Sequence, residues 1–493
     1  MAVSLGPVLM FRGLDADKWR LSVLIVTDGA PPTFQCDPAI EIGGFAPLWA
    51  RGNETAYACR FSVRLGGSPQ SVPYSVGAAN ALFHVPAKGE APQMAYGSCN
   101  GFSSFKAMKG VKDNNRLWRD MEAQHLSIGD PFHLLLLGGD QVYADSMWET
   151  VPEMTAWAEL DWDRGNQFVP TQRMKDVLSD YYFRLYTSRW AQPDVARMLA
   201  QVPIVAMWDD HDLIDGWGSY PGDRQESKVY REAIWPAAYK AFRTFQQQLA
   251  DGEDHPRAIT PGNERGMTFG HQVGPVAILA LDLRTERSDR QVMSSTTWNL
   301  VYAWIDKLEA RHLIVMSSIP IVYPGFDVLE RILGFWPGYQ DLEDDLKDHW
   351  RTRAHKGERL RMVHRLLDTS NSPSKIRPTI ISGDVHVAGI GYIESTRAEH
   401  IQSAVINQLI SSGIVHPGPG GAVLFALRNL FDRPDEMDRG ITGRMVEFPG
   451  TQDKFAGGRN FLTLRPDKED RIWANWWIEN STEDPYTKVI HPI

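Results

Sequence analysis

At 493 residues the chain is too long for one hydrophobic core, so two or three structural units are expected. Hydrophobic residues make up 43% and charged residues 23%, the balance of a soluble globular protein. The net charge of -10 argues against general nucleic-acid binding, because an acidic surface repels a phosphate backbone, while small anionic substrates stay open.

Cys36, Cys59 and Cys99 are the only cysteines, and no CxxC pair occurs. That argues against a disulfide framework and leaves a single Cys36–Cys59 bridge open. The first cation is Arg12, so no basic segment of a secretory or twin-arginine signal is seen. No apolar run approaches ~18 residues, so no transmembrane helix is expected. The resulting expectation is a cytoplasmic protein, with a trimmed secreted form as the alternative.

From the amino terminus, residues 1 to 90 read as β-rich. Short apolar segments at 21–27, 56–65 and 81–85 are separated by Gly, Pro, Asn and Asp, which predicts a small β-sandwich domain. The stretch 86–92 (PAKGEAP) reads as a linker. From 93 to 493 the pattern becomes α/β. Continuous apolar runs at 132–137, 202–208, 276–281, 313–316 and 379–381 suit strands buried on both faces. Helices are predicted at 230–249, kinked at Pro236, and at 297–308. A hairpin is expected from 461–465 and 471–479, and 413–421 (GIVHPGPGG) reads as a mobile loop.

Most of these strands end in polar clusters. Ligands in open α/β sheets bind beyond the carboxyl ends of strands, so the clusters predict one convergent site. Cys99 follows Tyr96-Gly97-Ser98; taken alone it reads as readily as a small buried hydrophobe. Asp140 and Tyr143 lie in GGDQVYAD, where two glycines allow close backbone approach. A capping Asp beside a packed Tyr is the simpler alternative. WDDHDLID (208–215) places four carboxylates and His211 behind an apolar strand, a density that needs cations or solvent. His211 is suited to proton transfer near neutral pH. In SGDVHVAG (382–389) Asp384 and His386 alternate and so share one side of an extended chain. A lone core histidine would read the same.

The set GSC, GDxxY, DDH[DE] and SGDxH, in this order, resembles the PhoD-like alkaline phosphatases of the calcineurin-like metallophosphoesterase superfamily. The resemblance spans about 93–480, and the β-rich amino-terminal part matches the family's layout. It implies a four-layer α/β/β/α core preceded by a small β-sandwich, and a binuclear centre. Fe(III) would be held by Cys99, Tyr143, Asp140 and His386. A second ion, usually Ca(II), would be held by Asp140 as bridge, Asp210 or Asp215, and Asp384, with Mg(II), Mn(II) or Zn(II) as alternatives. Hard carboxylate oxygens suit such divalent ions. Two departures matter. The 313–316 strand leads into Ser317-Ser318-Ile319-Pro320 and offers no nitrogen ligand, which argues against a di-zinc site. Asp215 stands where relatives commonly have Asn.

The implied activity is hydrolysis of a small or polymeric phosphate ester by a metal-bridging hydroxide. Asp140 would bridge the metals, and His211 would orient the phosphate or protonate the leaving oxygen. Arg284 and Arg287 are either substrate-facing charges or structural ones. A phosphodiesterase using the same site, and a retired phosphatase fold serving as a scaffold, are the competing readings; the full ligand set counts against the scaffold.

Overall fold

The computed structural model describes residues 2–127, 129–260, 266–323, 350, 355–400, 404–429, 434–481 and 484–493. Its architecture follows from the pleat of the apolar strands. In Leu134–Gly138, Leu134 and Leu136 point into one core while Leu135 and Leu137 point into another. Val205 and Met207 alternate in the same way with Ile204 and Ala206, as do Ile314 and Met316 with Leu313 and Val315. Strands that are apolar at every position therefore sit between two apolar layers.

Two large sheets result. The first has 11 strands among the described residues. Its path runs Tyr486–Ile490, Ile472–Ile478, Asn460–Pro466, Met94–Gly97, Leu134–Gly138, Ile204–Met207, Val3–Asp15, Lys18–Thr27, Glu54–Arg64, Glu41–Ile42. The second has nine among the described residues and centres on the parallel strands Val276–Ala280, His312–Met316, Arg377–Ser382 and Val405–Ile410. The sheets face each other across one core, where Leu136, Val205 and Met207 join Ile278, Ile314 and Met316. Helices Arg116–Leu126, Gln172–Trp190 and Pro193–Gln201 cover the outside of the first sheet. Ser295–Ile305 and Lys356–Ser370 cover the outside of the second. This is the expected α/β/β/α order.

The amino-terminal β layers are present, and one of them continues the core sheet. Val3–Asp15 pairs in parallel with Ile204–Met207 at Met10↔Ile204 and antiparallel with Lys18–Thr27. The other layer is a three-stranded sheet of Phe34–Cys36, Gln70–Val76 and Ala79–Val85. Its Val72, Tyr74 and Phe83 join Phe61 and Val63 in the inter-sheet core.

The expected hairpin is Asn460–Pro466 with Ile472–Ile478. The helix expected over 230–249 is interrupted: π-helical turns Tyr230–Ile234 and Phe242–Gln246 flank the α-helix Trp235–Ala241. Pro236 directly follows the first π-helical turn inside one continuous helical run, so its missing N–H coincides with the local break in the α-helical bonding pattern. All three cysteines are free and buried, so no Cys36–Cys59 bridge forms. No helix among the described residues is long and apolar enough to cross a membrane.

Candidate metal centre

Parallel strands deliver their carboxyl ends to one edge of each sheet. Met94–Gly97, Leu134–Gly138 and Ile204–Met207 do so in the first. Arg377–Ser382 and Val405–Ile410 do so in the second. The turns beyond them interlock through backbone bonds: Asn100 N donates to Asp140 O (2.7 Å), Ile414 N to Ser98 O (2.9 Å) and His416 N to Cys99 O (3.1 Å). The stretch beginning at Gly413 is thus anchored under the site rather than hanging free of it.

These turns are unusual in backbone conformation. Cys99 (φ 54°), Asp140 (51°), Asp384 (67°) and His386 (52°) all occupy the left-handed region. Each such non-glycine residue costs on the order of 1 kcal/mol and persists only where its surroundings fix it, which is typical of functional sites.

The side chains converge. Cys99 Sγ lies 3.4 Å from Asp140 Oδ2 and 3.0 Å from Ser412 Oγ. Ligand atoms of Asp140, Asp210 and His211 fall within 4.8 Å of one another, as do those of Asp209, Asp210 and Asp384. The Tyr143 ring lies 4.2 Å from the His211 ring and 5.6 Å from that of His416. His416 in turn stacks on His386 at 3.8 Å. Cys99, Asp140, Tyr143, Asp210, His211, Asp384 and His386 therefore share one site.

Two expected site residues stand outside that inner group. Asp215 is 37% exposed in its side chain, lies in neither carboxylate cluster, and places Oδ1 4.0 Å from His211 Nε2. Arg284 is fully buried behind the carboxylates: Nε donates to Asp209 Oδ1, Nη1 donates to Trp217 O, and Nη2 is 3.3 Å from Asp210 Oδ1. It holds these acids in place from behind instead of facing an open pocket. Arg287 is also buried, packed over Gly218.

Four contributors escaped the sequence reading. Asp145 accepts from His211 Nδ1 through Oδ2 (2.6 Å) and from Asp215 N through Oδ1 (2.8 Å). Asp209 binds Arg284. Ser412 Oγ accepts from His386 N (3.1 Å). His416 places Nδ1 2.9 Å from the carbonyl of Pro417 and Nε2 3.1 Å from Ser103 Oγ. A carbonyl only accepts, so Nδ1 carries the proton and Nε2 is the lone-pair nitrogen. Asp145 and Asp209 lie inside GGDQVYAD and WDDHDLID. Ser412 and His416 follow the apolar strand Val405–Ile410, the same strand-end signal, masked by Gly and Pro. Asp212 is the scaffold: its Oδ1 accepts from the backbone N–H groups of Gln141 and Val142, and its Oδ2 from that of Asp209, tying two turns together.

Burial, then the neighbouring carboxylates Asp209 and Asp210, push the Asp140 carboxyl well above its usual range, against His211. Burial and Asp140 raise the Cys99 thiol; burial, Cys99 and Asp140 raise the Tyr143 phenol. Burial works against the His211 imidazolium, yet Asp145 and Asp210 outweigh it and raise its pKa well above the ordinary value. Burial lowers His386. So many acidic groups cannot all ionise together without a cation. Asp140 Oδ1, Tyr143 Oη and His386 Nδ1 are also buried with no hydrogen-bond partner among the described residues, although buried polar atoms are nearly always paired. Open carboxylate, phenolate and imidazole atoms are donor types that a multivalent metal ion takes; the tight groupings Asp140–Asp210–His211 and Asp209–Asp210–Asp384 fit one, and neither includes Cys99 or His386.

Solved structures share this fold. One titled "Structure of PhoD" superposes with a TM-score of 0.56 at 13% identity, covering 98% of this chain and 88% of its own. Purple acid phosphatase PPD1 from yellow lupin (Lupinus luteus) seeds gives 0.51 at 10% identity, covering 98% and 73%. The fold is that of the metallophosphoesterases. A family model described as PhoD related phosphatase matches residues 74–337 and 335–434, and the chain belongs to that family. The uncharacterized protein YGR266W of Saccharomyces cerevisiae is 29% identical over an alignment of length 404 that covers 69% of this chain. The match spans 57% of that yeast protein's length.

Proposed function

We propose that the protein hydrolyses phosphate esters, as an alkaline phosphomonoesterase, at a binuclear centre. One ion would be held by Cys99, Tyr143, Asp140 and His386, the other by Asp140, Asp210 and Asp384. The observation that supports this reading is the pair of buried groupings Asp140–Asp210–His211 and Asp209–Asp210–Asp384, with Asp140 Oδ1, Tyr143 Oη and His386 Nδ1 buried and without a hydrogen-bond partner in the surrounding turns. Thiolate and phenolate donors favour Fe(III), and an all-carboxylate second set favours a hard divalent ion such as Ca(II). Bound metals supply Lewis acidity, lowering the pKa of a water from ~15.7 to around 7.

The chain's own groups do the rest. Asp145 fixes the His211 ring by taking its Nδ1 proton in a hydrogen bond, so Nε2 is the atom left to serve the leaving oxygen. Arg284 braces Asp209 and Asp210 from behind. His416, stacked on His386, fixes the plane of that ligand. Asp140→Asn is expected to lose bound metal and to lower turnover of p-nitrophenyl phosphate by at least ~10³-fold. Elemental analysis beside a visible spectrum checks it, because a tyrosinate–iron band would vanish with the metal. An active, metal-loaded variant would overturn the bridging role. Comparing p-nitrophenyl phosphate with its bis ester separates monoesterase from diesterase activity.

A further inference from the structure

Three arginines gather on one face of three neighbouring strands, apart from the metal centre. Arg12 lies on Val3–Asp15, Arg20 on Lys18–Thr27 and Arg60 on Glu54–Arg64. Gly13 pairs with Arg20, and Ser22 with Arg60, so the three positions are close in the sheet. Side chains alternate along a strand. Met10, Leu24 and Ala58, which share the arginines' parity, belong to the core beneath the helices. The arginines thus continue that face past the end of its apolar part, where they line a pocket of about 260 Å³.

Their counter-charges fall short. Arg60 Nη2 donates to both oxygens of Glu253. Arg12, only 6% exposed in its side chain, reaches the same carboxylate at 3.3 Å and the Gln247 carbonyl at 3.3 Å. Arg20 donates to Asp15, which also takes Arg257. Glu41, the other acid in the pocket wall, is held by Lys18 and Ser62. Among these groups Arg12, Lys18, Arg20, Arg60 and Arg257 share only Asp15, Glu41 and Glu253. Like charges on one sheet face repel. Burial, then Arg60, holds Arg12 down to about 10, so the strain falls on the buried member. Arg20 and Arg60 are each 51% exposed in their side chains, and each spends one terminal nitrogen on its carboxylate. The other guanidinium nitrogens of these two lining residues are not taken up by those carboxylates. Planar guanidinium donors around a concave site are matched to a tetrahedral oxyanion.

We infer that this pocket binds a small phosphate-class oxyanion, independently of the metal centre. With the buried Arg12 in its lining, the pocket admits a free ion more readily than a flat lipid surface. The test is equilibrium dialysis of radiolabelled orthophosphate against the metal-loaded full chain. Two classes of site are expected, one at the metals and one here. Arg60→Gln, at a half-exposed position, is expected to weaken the second class at least tenfold and to leave p-nitrophenyl phosphate hydrolysis unchanged. Arg20→Gln is expected to do the same. Asp140→Asn is expected to remove the first class and keep the second, so failure of the metal reading is told apart from failure of this one. Binding that survives both arginine changes, or that disappears wholly in Asp140→Asn, would overturn the inference. So would arginine-dependent binding to phosphatidate vesicles without binding of free orthophosphate.

Discussion

His211 shows how neighbours decide the use of a single residue. Unperturbed, a histidine titrates near 6.5. Here Asp145 and Asp210 hold its proton against the cost of burial. The short contact of Nδ1 with Asp145 Oδ2 also fixes which nitrogen can act. Asp145→Asn leaves every proposed metal ligand intact, yet an amide cannot hold an imidazolium as a carboxylate does. Metal content is expected to stay at the wild-type level while kcat falls about 10²–10⁴-fold, the usual worth of general acid–base catalysis. The loss should be larger for phenyl phosphate than for p-nitrophenyl phosphate, because the poorer leaving group needs the proton more. Unchanged kcat on both esters would remove the pair from the chemistry.

At the scale of the element, the site is a set of strand ends, and the glycines set how closely they approach. Gly139 has φ +99°, and a Cβ there would lie 2.7 Å from Asp209 Cβ. Gly139→Ala is therefore expected to cost about 1–3 kcal/mol and to displace the turn carrying Asp209 and Asp210. Thermal unfolding and metal analysis together check this, with both stability and bound metal falling. Gly52→Ala is the control: it also has positive φ (+59°) but nothing within 4 Å, so it should lose a little stability and no metal. The same geometry explains what the sequence could reveal. Parallel strands buried on both faces are continuous apolar runs, and the polar residues at their ends follow directly in sequence, so Asp140, Asp210, Asp384 and His386 were visible as candidates. Ser412 and His416 obey that rule, but the glycines and prolines around them resemble a free loop. Their anchoring comes from Ser98 and Cys99, far away in the chain. Asp215 and Arg284 carry the right chemical type, but only packing decides which side of a carboxylate a charge occupies. Val3–Asp15 was missed as a core strand because Gly6-Pro7, Arg12 and Gly13 break its apolar run and its partners are non-local.

Across the whole molecule, buried neutral histidines make stability depend on pH. Burial lowers His125 to about 4, and His133 and His271 to about 3. In the unfolded chain each returns to ~6.5. Below that value the unfolded state binds protons that the native state refuses. The contribution is thus complete above pH ~6.5 and is lost as pH falls toward 3–4, by up to about 1.4 kcal/mol per pH unit for each histidine. His133 Nδ1 accepts from Gln93 N at 3.0 Å, a bond that an asparagine Oδ1 can replace. His133→Asn is expected to unfold with a shallower dependence on pH between 6.5 and 4, read from denaturant midpoints; an unchanged slope would show that the ring titrates in the native state.

Sheet continuity sets the fate of the amino-terminal 90 residues. A separable module would leave its neighbour's core closed when removed. Here removal would take Val3–Asp15 from the side of Ile204–Met207, the strand that carries the Asp209-Asp210-His211 turn. It would also take Leu9, Phe11, Val23 and Phe61 from the inter-sheet core, and Val8, Met10 and Leu24 from the core under the helices. Each such buried side chain is worth roughly 1.5–3 kcal/mol, so these seven together are worth about as much as the whole ~5–15 kcal/mol that typically separates folded from unfolded domains. A bare parallel strand edge would also be left open to other chains. A chain beginning at residue 91 is therefore expected to aggregate and to retain no metal, as size-exclusion chromatography with elemental analysis would report. A monomeric, metal-loaded truncation would mean that Ile204–Met207 holds its turn without a partner on that side, and that the β layers only cover the core.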